Sequence, residues 1–186
     1  MTILVMGGSG SGKSAWAEER ACALSAKRKY YLATMQASDP ESRERVARHQ
    51  RQRSGKGFIT IEQPAAVQDA LKQMEAGDKT VLLECISNLT ANEMFAGEPP
   101  QPEEVTAEKV ISGIMALKRE CRHLVLVSNN VFEDGRVYHR ETMAYLRAMG
   151  RINQALAELA DEVAEVVVGI PIMIKEGQRG QCRCTF

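Results

Sequence analysis

The sequence has no surplus of either charge: lysine and arginine number 24, and so do aspartate and glutamate. That balance excludes a global field drawing the chain to nucleic acid or to a membrane surface, so any attraction for anions has to be local. No apolar run is long enough to span a bilayer. A strand begins within the first three residues, with no charged n-region and no small-residue cleavage site, so no export leader is expected and a cytoplasmic location is. Internal repeats are missing as well. Cysteines are few, five in 186 residues. Cys22, Cys85 and Cys121 are scattered through helix-like and strand-like segments, as buried thiols of a reducing compartment are. Cys182 and Cys184 have no second ligand pair that would make a zinc site, and the tail GQRGQCRCTF reads as disordered. The length suits one domain over residues 1–176, followed by a disordered tail at 177–186.

What the chain does have is concentrated at its start. Gly7, Gly8, Ser9, Gly10, Ser11, Gly12, Lys13 and Ser14 fit the phosphate-binding pattern G-x-x-x-x-G-K-S/T. The apolar run Ile3, Leu4, Val5, Met6 precedes them and the helix-forming AWAEERACAL follows, so the glycines sit at a strand-to-helix turn. There, glycines let backbone N–H groups turn inward around phosphate oxygens, and the helix N-terminus adds partial positive charge. Lys13 is expected to reach the β- and γ-phosphates, and Ser14 to offer its hydroxyl to Mg²⁺.

Strands and helices then alternate. A helix is expected over 13–25, a strand over 29–34, a polar helix opening near Ser38 and Glu41, and a short strand over 58–62. Pro64 opens an amphipathic helix ending near Gly77. Strands follow at 80–86, 123–128 and 163–168, with helices at 87–96, 103–121 and 140–160 between them. Gly150 interrupts the last helix pattern as a close-packing point or kink, and 172–175 pairs antiparallel at the end. The alternation implies an α/β fold with a mostly parallel sheet and helices on both faces.

Two features beyond the loop carry chemistry. Glu84 ends the run TVLLE at the carboxyl edge of a strand, where parallel sheets bind ligands, and an acid there holds Mg²⁺ or polarises a water or hydroxyl. Its bland alternative is a solvated strand end. Arg45, His49 and Arg53 are spaced i, i+4, i+8 along one helical face. Two guanidiniums flanking an imidazole suit phosphate binding beside a histidine nucleophile, although a helix rich in arginine is also what a solvated face looks like. His123 reads as structural, and His139, in a polar loop, as either structural or functional.

The P-loop, YLAT, R-V-x-R-H-x-x-x-R, F-x-T-I-E, LLECI, LVLVSNNV and GRINQALAELADEVAEVVVGIPIMIK together resemble the bifunctional adenosylcobinamide kinase / adenosylcobinamide-phosphate guanylyltransferases of cobalamin biosynthesis. The resemblance covers nearly the whole chain. It implies a RecA-like P-loop fold, GTP as nucleotide with ATP possible as kinase donor, Mg²⁺, and adenosylcobinamide and its phosphate as partners in a homo-oligomer. It implies that His49 accepts GMP, and it places Arg45, Arg53 and Glu62 with the nucleotide-binding residues and Lys13 and Glu84 with the catalytic ones. Three positions depart from the family pattern: Gly10 replaces an arginine, Asn130 replaces a glutamate, and Ala148 replaces an aspartate. The other readings are a P-loop kinase of another small molecule, with no covalent adduct, and a nucleotide-dependent regulatory protein.

Overall fold

The computed structural model describes residues 1–24, 26–36, 55–131 and 138–177. Seven strands form one sheet: β1 (Thr2–Met6), β2 (Arg28–Ala33), β3 (Phe58–Glu62), β4 (Lys79–Glu84), β5 (His123–Val127), β6 (Glu162–Val167) and β7 (Ile170–Lys175). Their spatial order is β3-β2-β4-β5-β1-β6-β7, and all pairings are parallel except β6 with β7. Among the described residues four α-helices accompany them: α1 (Lys13–Ala23), α2 (Ile86–Met94), α3 (Glu103–Glu120) and α4 (Arg140–Leu159).

The central strands are apolar because both of their faces are covered. Leu4, Val81, Leu83, Leu124 and Leu126 face one side, where Leu89 of α2, Ile114 of α3 and Ile152 of α4 pack on them. Ile3, Val5, Leu82 and Val125 face the other, against Ala17 and Ala21 of α1. In α4 the buried positions Met149, Ile152, Asn153 and Leu156 recur at intervals of three and four, which is what a single apolar stripe requires. The helix runs through Gly150 without a break.

One expectation changes. The segment after Pro64 is a 3-10 helix, Val67–Gln73, rather than an α-helix reaching Gly77. Ala66 before it is left-handed at φ 45° and Met74 after it is extended, so seven residues remain, and burial of Val67 and Ala70 three apart matches the 3-10 repeat. A further glycine, Gly113, is closely packed: a Cβ there would lie 2.8 Å from Val67 Cγ1 and 2.9 Å from Gln68 Oε1. Cys22, Cys85 and Cys121 are free and only partly buried by exposed surface. The expected polar helix with Arg45, His49 and Arg53, and the tail with Cys182 and Cys184, fall on residues outside those described. Among those described, no helix is long and apolar enough to cross a membrane.

Candidate functional site

β1 ends at Met6 and the chain turns through the glycine-rich loop into α1. Gly10 and Gly12 have φ of 73° and 91°, the left-handed region that side chains with a Cβ enter only with strain. Gly12 also abuts the β6–β7 hairpin, where a Cβ would lie 3.2 Å from Gly169 Cα, and Gly169 N donates to Ser11 O at 2.8 Å. The start of α1 has no side-chain cap and no acid in its first turn. Its N–H groups and positive dipole end are therefore left for an anion. Ser11 Oγ is buried without a hydrogen-bond partner among the described residues, again inside the loop.

Lys13 folds back over the loop and donates from Nζ to Gly8 O at 2.9 Å. Burial lowers its pKa, while the neighbouring Cys85 and Glu84 work in the opposite sense. Ser14 donates its hydroxyl to Glu84 Oε1, and Tyr31 donates to Glu84 Oε2 at 2.9 Å. Both carboxylate oxygens are thus oriented, one by the first turn of α1 and one by β2. The parallel register explains why these residues meet: Ala33 of β2 lies opposite Glu84 on one side and Glu62 on the other. Glu62 is exposed at the end of edge strand β3, two strand spacings from Glu84, or roughly 10 Å.

The segment after Glu84 is fastened by residues the sequence did not single out. Thr34 Oγ1 donates to Cys85 O at 2.8 Å and accepts from Cys85 N at 2.7 Å, while Thr34 N donates to Glu84 O at 3.1 Å. Asn92 Nδ2 donates to Thr34 O at 2.8 Å. Next to this bracket, Asn129 Nδ2 donates to Ser87 Oγ at 2.6 Å and Tyr145 OH donates to Ser87 O at 3.2 Å. Burial pushes the Tyr145 phenol up to about 12 and raises the Cys85 thiol, so both groups stay protonated at neutral pH. Thr34 and Ser87 sit within conspicuous stretches, YLAT and ISNL, but only the pairing of β2 with β4 joins them.

Asn130 N donates to Gly7 O at 3.2 Å, and its Nδ2 reaches Glu165 Oε1 of β6 at 3.4 Å. Glu165 stands level with Met6, the last residue before the loop. Ala148 is fully buried on α4. His123 opens β5 and His139 is the N-cap residue of α4.

Lys13, Ser14 and Glu84 therefore converge at the carboxyl edge of the sheet, with Glu62 further along that edge. For a divalent cation the relevant donors are the Ser14 hydroxyl and the Glu84 carboxylate, an all-oxygen pair already held together. Among the described residues no group of three or more His, Cys, Asp and Glu side chains forms a protein-only cage. One carboxylate and one hydroxyl fit Mg²⁺, which takes its remaining ligands from water and substrate phosphates.

The family described as cobinamide kinase / cobinamide phosphate guanyltransferase matches residues 3–174. The chain is 35% identical to the bifunctional adenosylcobalamin biosynthesis protein CobU of Salmonella typhimurium, over 94% of this chain and 100% of that one. It is 32% identical to the protein of the same name from Escherichia coli, with the same coverage. Identity to the bifunctional adenosylcobalamin biosynthesis protein CobP of Pseudomonas aeruginosa is 30%, over 94% of this chain and 98% of that one. Among solved structures, an ATPase domain superposes with a TM-score of 0.51 at 13% identity, covering 88% of this chain and 68% of that one. That likeness concerns the fold alone, and it agrees with the RecA-like P-loop architecture.

Proposed function

The chain belongs to the cobinamide kinase / cobinamide phosphate guanyltransferase family, and from that premise we propose that it phosphorylates adenosylcobinamide and then guanylylates the product through His49. The observation that carries the nucleotide half is the meeting of Lys13, Ser14 and Glu84 at the phosphate loop, with Tyr31 fixing the second oxygen of Glu84.

In the first reaction the aminopropanol hydroxyl oxygen attacks the γ-phosphorus of GTP, or of ATP, and the bond to the β–γ bridging oxygen breaks. The nucleoside diphosphate leaves, and the hydroxyl proton passes to a carboxylate or to solvent. Lys13 binds the β- and γ-phosphate oxygens and the loop amides hold the chain of phosphates. A Mg²⁺ ion held by Ser14 and Glu84 would supply charge neutralisation. Positioning and charge stabilisation account for most of the rate in such transfers, which suits a site of prearranged donors.

In the second reaction His49 attacks the α-phosphorus of GTP and pyrophosphate leaves. An oxygen of adenosylcobinamide phosphate then displaces the imidazole, giving adenosylcobinamide-GDP. Arg45 and Arg53, spaced four residues to either side of His49, would bind the phosphate oxygens and disfavour a protonated ring, keeping a nitrogen lone pair available. Glu62 would join the nucleotide-binding set from β3. Support for this half comes from the family match and the residue pattern, since residues 37–54 lie outside the described structure.

The test is incubation with Mg²⁺ and GTP labelled at the α-phosphate, beside His49→Ala. An acid-labile, alkali-stable GMP adduct is expected on the wild type and not on the variant. A GTP-binding protein that forms no adduct would refute the covalent route and favour a plain P-loop kinase.

A further inference from the structure

On the face of the sheet opposite α1, a groove of about 470 Å³ opens between the segment after α2 and the first turns of α3 and α4. Met94, Phe95, Pro99, Pro102, Arg140 and Ala144 are among its walls. α3 leads into the start of β5 and α4 into the start of β6. Their first turns therefore lie at the carboxyl edge of the sheet, the edge that carries the phosphate loop. We propose that this groove is the subsite for the corrin macrocycle of the cobinamide substrate. The assignment rests on the reading of the chain as a cobinamide-modifying enzyme.

Distance supports it. The reacting hydroxyl of cobinamide is at the end of an amide-linked side arm, about seven bonds from the ring and roughly 9 Å away when extended. A macrocycle therefore docks beside the phosphoryl-transfer site, not in it. α2 begins next to Glu84 at Ile86 and ends at Met94 in the groove wall. Ser87 and Met94 are seven residues apart along this helix, or roughly 10 Å at the α-helical rise. Arm and helix span the same gap.

Chemistry supports it too. A corrin presents broad apolar faces, a rim of neutral amides, and one net positive charge when the cobalt carries an alkyl ligand. The groove offers the exposed Phe95 ring and prolines to such a face. Its charged walls are three carboxylates, Glu103, Glu104 and Glu141, and two guanidiniums, Arg140 and Arg147, with Arg151 beside Glu104 balancing the third carboxylate. Arg147 is committed to Glu103 and Arg151 to Glu104. Arg140 and Glu141 have no ion pair among the described residues, so both are free to meet the amides and the cationic centre.

The experiment measures initial rates in dim light with adenosylcobinamide as kinase substrate and adenosylcobinamide phosphate as guanylyl acceptor, for wild type, Phe95→Ala and Ala144→Trp. The first variant removes an apolar wall and the second fills the groove. Both acceptors share the macrocycle, so both KM values should rise at least about tenfold, the loss appearing in KM rather than kcat. The KM for GTP, and the thermal shift that GTP produces, should stay at wild-type values, which also verifies folding. Unchanged acceptor KM values in both variants would overturn the subsite. A wild-type protein that modifies neither acceptor would overturn the functional reading itself, and the subsite with it.

Discussion

Ser14 donates its hydroxyl to Glu84, joining the first turn of α1 to the end of β4 across a sequence separation of 70 residues. Tyr31 takes the other carboxylate oxygen at 2.9 Å. The hydroxyl and carboxylate that would share a cation are thus positioned before any ligand arrives, which lowers the cost of ordering them during reaction. Ser14→Ala and Glu84→Gln should each lower kinase kcat/KM by about 10²–10³. Tyr31→Phe leaves the carboxylate in place and loses one hydrogen bond of about 1 kcal/mol, so a fall of roughly fivefold is expected. Steady-state kinetics of the three variants decide it: equal losses in Tyr31→Phe and Glu84→Gln would refute the ordering.

Lys13 gives a prediction about pH. Burial depresses its pKa below the usual 10.5, so the unfolded chain binds this proton more tightly than the folded one. The charged side chain therefore works against folding below the depressed pKa, and that penalty fades as pH rises toward 10.5. Lys13→Met keeps the side-chain length and removes the charge. Without nucleotide, the variant should melt above the wild type at pH 7, and the gap should close as pH approaches 10. With GTP the order reverses, because only the wild type gains from the phosphates. Thermal melts across pH, with and without GTP, make both measurements.

Much of this was legible in the sequence, for physical reasons. The phosphate loop is a local motif whose backbone needs glycine, and Glu84 follows an apolar run that only a doubly covered strand tolerates. What could not be read depends on register. Nothing in YLAT says that Thr34 brackets Cys85 or that Tyr31 reaches Glu84, because both follow from β2 lying beside β4. The 3-10 helix at Val67–Gln73 was missed for a different reason: apolar residues three apart fit either helix type until the backbone of Ala66 is known.

Gly113 supplies a stability test away from the chemistry. A Cβ there would press on Val67 Cγ1 at 2.8 Å and Gln68 Oε1 at 2.9 Å. Gln68 has rotamers in which to retreat, but Val67 is β-branched, stiff at its first torsion and buried. Gly113→Ala should therefore destabilise the fold by about 1–3 kcal/mol despite its better helix propensity, with both activities preserved below the melting transition. Denaturant melts read the loss; a stabilised variant would mean that the 3-10 helix yields freely.

The contact between Asn130 and Glu165 bears on how this chain manages without the glutamate of the family pattern. Asn130 is anchored by its own N–H to Gly7 O, and its side-chain amide faces Glu165 Oε1 at 3.4 Å. Restoring the acid by Asn130→Glu alone would set two carboxylates face to face beside the loop, where like charges repel and, among the described residues, no basic side chain forms an ion pair with Glu165. The single variant should therefore be less stable than wild type by about 1–2 kcal/mol and no better as a kinase. Adding Glu165→Gln replaces the repulsion with an amide-to-carboxylate hydrogen bond, so the double variant should recover stability. If an acid at position 130 serves the kinase step, the double variant should also raise the ratio of kinase to guanylyltransferase rate by about tenfold, the size of an ordinary positioned-base effect at its low end. A double variant that recovers stability with an unchanged ratio would show that the kinase step does not use an acid at this position, and that Glu84 and the loop suffice.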